Sequence, residues 1–369
     1  MPLGLRHKQL EANYWINLRG HGDSHPTRRV LETHWDKERT QKESFGWTGE
    51  QTAKDMGVYD KEFCPSVVWP VRPFWVLENP SVDLELLKIK CGNKTADIIS
   101  EYYRYKECKY KDLQIFTDGS KDPETGATGP AIVVPSYQVE ISKRTPDCLS
   151  VYAVEMFATL SALEWSEQVD CSNFVICSDS VSALASIKAG TARGHQDLLF
   201  ELLFANSRLA RQGKNIAFTW VPAYSGIMGN ETADKLAKAA VRKGSVEVDI
   251  KLSKSEGKSI LWRRINQQWQ QHWDRAIKGR HLHSIQNRVD MGRSRGVKRK
   301  EQVVISRLRI GHSNLNGNLA IINKHPTGFC DLCQETNSRA YPYFMQEICT
   351  GKTTNATTIT QNRTGREQC

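Results

Sequence analysis

No apolar run in the 369-residue chain is long enough to span a bilayer, and the N-terminus, where Arg6, His7 and Lys8 precede Gln and Glu, lacks the apolar centre of a signal peptide. No membrane partner is expected. The expected setting is cytoplasm, nucleus or both, and not the outside of the cell. Tight, even cysteine spacing is also missing: the ten cysteines are scattered from Cys64 to Cys369, which argues against a secreted disulfide scaffold and for reduced thiols. Sequons at Asn93, Asn230, Asn355 and Asn362 do not weigh against this, because so short a motif often arises by chance. From Thr350 to Cys369 apolar residues are almost absent, so that stretch has nothing with which to build a core, and residues 338–369 are expected to be disordered.

What is present is length enough for a normal buried core and an excess of positive charge, 51 basic against 41 acidic residues, net +10. The excess is local. Between Val241 and Ile310 there are 18 Lys/Arg against 6 Asp/Glu, more than the net charge of the entire chain, as suits a polyanionic partner.

Periodicity divides the chain into four parts. Residues 1–110 combine a helical segment, with Leu10, Tyr14 and Leu18 spaced for one buried stripe, and a connector in which Pro65, Pro70, Pro73 and Pro80 alternate with Trp69, Phe74 and Trp75. Residues 111–245 read as strands Leu113–Thr117, Ala131–Val134 and Val139–Ser142, a helix through Val151, Val154, Ala158, Ala162 and Trp165, and strand Phe174–Cys177. Two helices, strand Ile216–Val221 and a last helix follow, and the order βββαβααβα implies an α/β fold: a mixed five-stranded sheet with helices on both faces. Residues 246–337 are basic and helical, with Leu261, Ile265, Trp269, Trp273 and Ile277 at every fourth place, and residues 338–369 form the tail.

Four acids stand at the edges of these elements: Asp118 after the first strand, Glu155 beside the buried face of the first helix, Asp179 after the fourth strand and Asp234 on the last helix. Singly, each reads better as a turn residue, a helix cap or a solvated charge. Jointly they read differently. Strand ends of one sheet and the helices packed on it can gather all four, and such a cluster needs a cation to offset its own repulsion. Oxygen ligands of this kind suit Mg²⁺, and a pair of such ions supports in-line phosphodiester hydrolysis.

In order, Thr117-Asp118-Gly119-Ser120, Glu155, Ser178-Asp179-Ser180 and the run from Trp220-Val-Pro-Ala-Tyr-Ser-Gly to Gly229-Asn-Glu-Thr-Ala-Asp234 resemble type 1 ribonuclease H, in the form carried by non-LTR (LINE-type) retrotransposon polyproteins. The resemblance covers at least Gln114 to Ala240. It implies that Asp118, Glu155, Asp179 and Asp234 are catalytic and ligate two Mg²⁺, with Mn²⁺ as a substitute and Asp118 shared between the ions. It further implies that the RNA strand of an RNA/DNA hybrid is cut to a 3′-hydroxyl and a 5′-phosphate. Gly119 and Ser120 are candidate contacts to the nucleic acid.

One position departs from the family. Where it usually has Val-Pro-Ala-His-Ser-Gly, this chain has Tyr224, and a phenol donates a hydrogen bond but does not titrate near neutrality as imidazole does. Activity lowered by about 10²-fold but not abolished is the expectation. The family's basic protrusion is missing between the two middle helices, so grip on the hybrid is expected elsewhere, with Arg293, Arg295, Lys298, Arg299 and Lys300 as candidates.

Cys330-Asp-Leu-Cys333 has the spacing of half a zinc knuckle, but the His and Cys that should complete it fall near Arg339 and Phe344, so zinc is not expected there. Residues 10–18 and the Pro/Trp connector resemble the segment joining reverse transcriptase to ribonuclease H in LINE-type polyproteins. A polymerase partner is therefore possible, but nothing in this chain resembles its palm. The alternative of another class is a weak or inactive nucleic-acid-binding remnant, to which Tyr224 and the incomplete knuckle point.

Overall fold

A computed structural model of the chain describes residues 1–22, 25–33, 45–65, 76–90, 99–104, 112–192, 194–289, 299–310 and 316–329. Most of the Pro/Trp connector, Arg293, Arg295, Lys298, Cys330, Cys333 and the tail lie outside the described residues. Two compact units are present: Lys8–Trp262, and Met1–His7 together with the described residues from Arg263 onward. No helix among the described residues is long and apolar enough to cross a membrane.

The larger unit is built on one mixed sheet. Its strands are β1 (Ser81–Asp83), β2 (Leu113–Lys121), β3 (Thr128–Val134), β4 (Val139–Ser142), β5 (Asn173–Ser178) and β6 (Asn215–Trp220), in the spatial order β1-β6-β5-β2-β3-β4. The β2, β3 and β4 strands form an antiparallel meander, while β1, β6, β5 and β2 run parallel. The five expected strands are all there, but the sheet has six. Ser81–Asp83, in the connector, adds a parallel edge strand opposite Ala217, Phe218 and Thr219. Three residues after a proline give too short a run for alternation to be detectable, so only pairing reveals the strand.

Every residue of β3 is buried, and in β5 all but Asn173 are, so the sheet is covered on both faces. Two glycines show how. A Cβ on Gly119 would meet the backbone of Glu155 in α5 (Val151–Gln168), whereas a Cβ on Gly229 of α8 (Met228–Ala240) would strike the Phe116 ring at 2.2 Å. Positions 116 and 119 of one strand project to opposite faces, so α5 and α8 sandwich β2. Helix α6 (Val181–Ala189) ends on Gly190, whose left-handed backbone supplies the C-cap, and α7 (Gln196–Arg211) packs on α5 and β6. One contiguous core results, including Ile115, Phe116, Met156, Leu163, Phe174, Ile176, Phe218 and Trp220.

The N-terminal helix α1 (Leu3–Arg19) buries only part of the expected stripe. Leu18 is buried, but Leu10 and Tyr14 are exposed, and Ala12, Trp15 and Ile16 are buried with Leu18 instead. Apolar residues at 10 and 14 compete with those at 12, 15 and 16 on a neighbouring face, and the larger Trp15 side chain goes inward and stacks on Tyr59. Helices α2 (Pro26–Thr33), α3 (Phe45–Asp55) and α4 (Glu85–Lys90) complete the flank before the sheet.

Helix α9 (Lys254–Arg275) carries the fourfold repeat of Leu261, Ile265, Trp269 and Trp273, but it ends before Ile277, which is exposed. In the smaller unit Trp273 donates its indole N–H to the Gln286 carbonyl at 2.9 Å, and α10 (Arg280–Ile285) lies between the two in sequence. Trp269 and Trp273 line a cavity of about 470 Å³ within this unit, with Leu282 and Val289. Arg299, the first residue of α11 (Arg299–Arg309), is exposed, and Lys300 follows it in the same helix.

Candidate functional site

Strand β2 is longer than the sequence suggests. It continues to Lys121, so Asp118 stands inside it, paired with Ala131 of β3. The parallel partner stops sooner: the last β2–β5 pair is Thr117 with Ser178, and the chain leaves β5 at Asp179. Asp118 therefore lies one residue past the point where β2 loses its neighbour, with Asp179 emerging beside it. Ser180 serves as the N-cap of α6, accepting from Ala183 N, so Asp179 is not itself the cap. The Asp179 carbonyl accepts from the Trp220 indole at 3.1 Å, which anchors the backbone at this corner.

Glu155 comes from α5, which starts at the N-cap Ser150 and is pressed against β2. Gly119 makes this approach possible. A side chain there would place its Cβ 2.8 Å from Glu155 N, too close for a Cβ against backbone, and 3.0 Å from the Val154 carbonyl carbon. Gly119 is thus buried against the helix, and Ser120 is half-buried beyond it.

Carboxylate oxygens of Asp118, Glu155 and Asp179 lie within 4.8 Å of one another. Asp118 and Glu155 are 6% and 4% exposed, so there is little water to offset their charge. Burial, then the charges of Asp179 and Asp234, raise Asp118 from the ordinary 3.8 to about 7. Burial followed by Asp118 and Asp179 raises Glu155 well above the ordinary carboxylate range. Glu155 Oε2 is also buried without a hydrogen-bond partner among the described residues. Acceptor-only oxygens that repel one another, one of them unsatisfied, fit a hard divalent cation far better than they fit each other.

Asp234 is outside this group of three yet near enough for its charge to act on Asp118. It lies on α8, and its Oδ2 accepts from Lys238 Nζ one turn later, at 2.7 Å. That bond raises the Lys238 ammonium, and the charges of Asp234, Tyr224 and Asp118 contribute too. Tyr224 lies in the loop before α8 with a left-handed backbone (φ 52°), 77% exposed, and Lys238 Nζ is 5.6 Å from the centre of its ring. A cation above a phenol at that distance is a weak attraction, about 0.5–1 kcal/mol at an exposed place. Tyr224, Lys238 and Asp234 thus form one chain of contacts leading to the acidic cluster. Lys238 is a member that the sequence pattern did not single out, although its spacing from Asp234 marks an ion pair on any helix.

This geometry assembles carboxylates from a strand interior, a strand end and a helix, in a setting that favours positive charge. The RNase H family model matches residues 110–242, the segment that contains all of these residues.

Proposed function

Taking residues 110–242 as an RNase H domain, we propose that the chain is a two-metal endoribonuclease that hydrolyses the RNA strand of RNA/DNA hybrids. The observation that carries the proposal is the convergence of Asp118, Glu155 and Asp179 within 4.8 Å in a buried setting that disfavours their charge. When bound, two Mg²⁺ or Mn²⁺ ions would supply neutralisation of that charge and Lewis acidity for in-line displacement at phosphorus.

The protein's own residues set the positions. Asp118, held rigidly between β3 and the sandwiching helices, is the residue from which both ions would be held. Glu155 and Asp179 approach it from the α5 and β5 sides, and Asp234, whose oxygen accepts from Lys238, would be the further ligand. Lys238 meanwhile limits the repulsion that Asp234 exerts on Asp118. Tyr224 stands where an imidazole would otherwise take up and release a proton, and it can offer only a hydroxyl. Turnover is consequently slow. A retroelement origin, and work beside a polymerase outside this chain, are consistent with the order of the motifs and belong to the same proposal.

Incubation of the full chain with a 5′-labelled RNA/DNA hybrid and Mg²⁺ or Mn²⁺ should yield shortened RNA, and Asp118→Asn should abolish it. Binding of the hybrid without cleavage in either metal, identical for both proteins, would instead favour a non-catalytic remnant, the reading that Tyr224 supports.

A further inference from the structure

A second polar cluster in the larger unit plays no part in the reaction above. Cys64 follows the connector's short parallel bridge to Leu252, in which Cys64 N donates to the Leu252 carbonyl at 2.8 Å and Leu252 N to that of Glu62 at 2.9 Å. His195 precedes α7 with a left-handed backbone (φ 45°), and Asp197 lies in the first turn of that helix. Sγ of Cys64 stands 3.5 Å from His195 Nδ1, and one ligand atom from each of Cys64, His195 and Asp197 lies within 4.8 Å of the others. Cys64 and His195 are buried, and Oδ1 of Asp197 is buried with no hydrogen-bond partner among the described residues.

We propose that Cys64 Sγ, His195 Nδ1 and a carboxylate oxygen of Asp197 hold one Zn²⁺ ion, with water as its fourth ligand, in a site separate from the acidic centre. Three features carry it. The donor set of thiolate, imidazole and carboxylate is that of zinc and not of magnesium. Zinc with sulfur at ~2.3 Å and nitrogen at ~2.0 Å in tetrahedral geometry sets these donors about 3.5 Å apart, which is the 3.5 Å separation of Sγ and Nδ1.

The third feature is the support behind the imidazole. His195 Nε2 lies 2.8 Å from Glu256 Oε2, and Glu256 also accepts from the backbone N–H of Ser253 at 2.7 Å and of Ser150 at 2.5 Å. A carboxylate so placed only accepts, so Nε2 carries the hydrogen and Nδ1 is the ring atom offered to a cation. Ser253 Oγ accepts from Glu256 N in return, closing a capping box at the start of α9 that holds the carboxylate in place. Burial, and then the Asp197 carboxylate beside it, raise the Cys64 thiol, so without a cation the sulfur keeps its proton. Binding releases that proton to solvent as the sulfur–zinc bond forms. The ion would join the connector to the start of α7 next to the start of α9.

The test uses the full chain carrying Cys330→Ser and Cys333→Ser, so that no signal arises from those cysteines, with Co²⁺ as the spectroscopic probe. One equivalent of Co²⁺ should produce thiolate-to-cobalt charge-transfer absorption, Zn²⁺ should displace it, and Cys64→Ser should remove it. Asp197→Asn, which keeps the shape of the side chain, should weaken Co²⁺ binding at least tenfold, and Glu256→Gln should weaken it about 10- to 100-fold. Absence of the band, its survival in Cys64→Ser, or unchanged affinity in Asp197→Asn would each overturn the proposal and leave a metal-free hydrogen-bonded cluster. Hybrid cleavage is not read in this experiment, so its outcome is independent of the nuclease proposal.

Discussion

At the residue scale the acidic centre trades stability for readiness to bind a cation. Asp118 has a folded-state value of about 7 against an ordinary 3.8, so between those pH values the native state retains a proton that the unfolded chain has lost. Stability from this group is therefore highest in acid and falls as pH rises from about 4 to about 7. Thermal melts in EDTA should show wild type losing stability across that range and Asp118→Asn losing less. Near pH 8 the variant should be the more stable protein, by about 1–3 kcal/mol, because one buried charge has gone. Added Mg²⁺ should close the gap by stabilising wild type alone. A wild type that is more stable than Asp118→Asn at pH 8 without metal would contradict the electrostatic account of the site. The second prediction at this scale concerns Tyr224: Tyr224→His should raise hybrid turnover by up to about 10²-fold, with kcat changing more than KM. An unchanged or lower kcat would show that the phenol is not what limits the enzyme.

Elements decide how close the acids come. Helix α5 can approach β2 because Gly119 has no side chain, and α8 can cover the other face because Gly229 leaves room for the Phe116 ring. Gly119→Ala should push α5 away, cost about 1–3 kcal/mol as overpacking does, and lower hybrid cleavage by at least tenfold through displacement of Glu155. Full activity together with an unshifted melting temperature would mean that α5 is not held as described. Glycine after Asp118 is visible in the sequence, but the helix that presses against it is not. Nor was the full reach of β2, since Asp118, Gly119 and Ser120 do not look like strand residues, and only pairing with Ala131, Pro130 and Gly129 keeps them extended.

For the whole molecule, charge is distributed unevenly along the sequence, with the basic excess following residues 110–242. If those residues hold the phosphates, hybrid binding should fall steeply with salt. Replacing Arg293, Arg295, Lys298, Arg299 and Lys300 by Gln should flatten the plot of log affinity against log salt by about 0.7–0.9 for each phosphate no longer neutralised. A slope equal to that of wild type, measured by fluorescence anisotropy with catalytically silent Asp118→Asn, would locate the grip elsewhere.

Local pattern alone was enough for the order of the five longer strands and their helices, and it singled out Asp118, Glu155 and Asp179, which the fold gathers, because periodicity, glycine placement and motif spacing are properties of neighbouring residues. Contacts between distant residues required the folded chain. The edge strand Ser81–Asp83 exists only because β6 offers a free side, and the inward turn of Trp15 depends on Tyr59. Cys64 and His195, 131 positions apart, meet because the connector bridges Leu252. No window of sequence contains both, so the meeting of thiol and imidazole belongs to the tertiary structure.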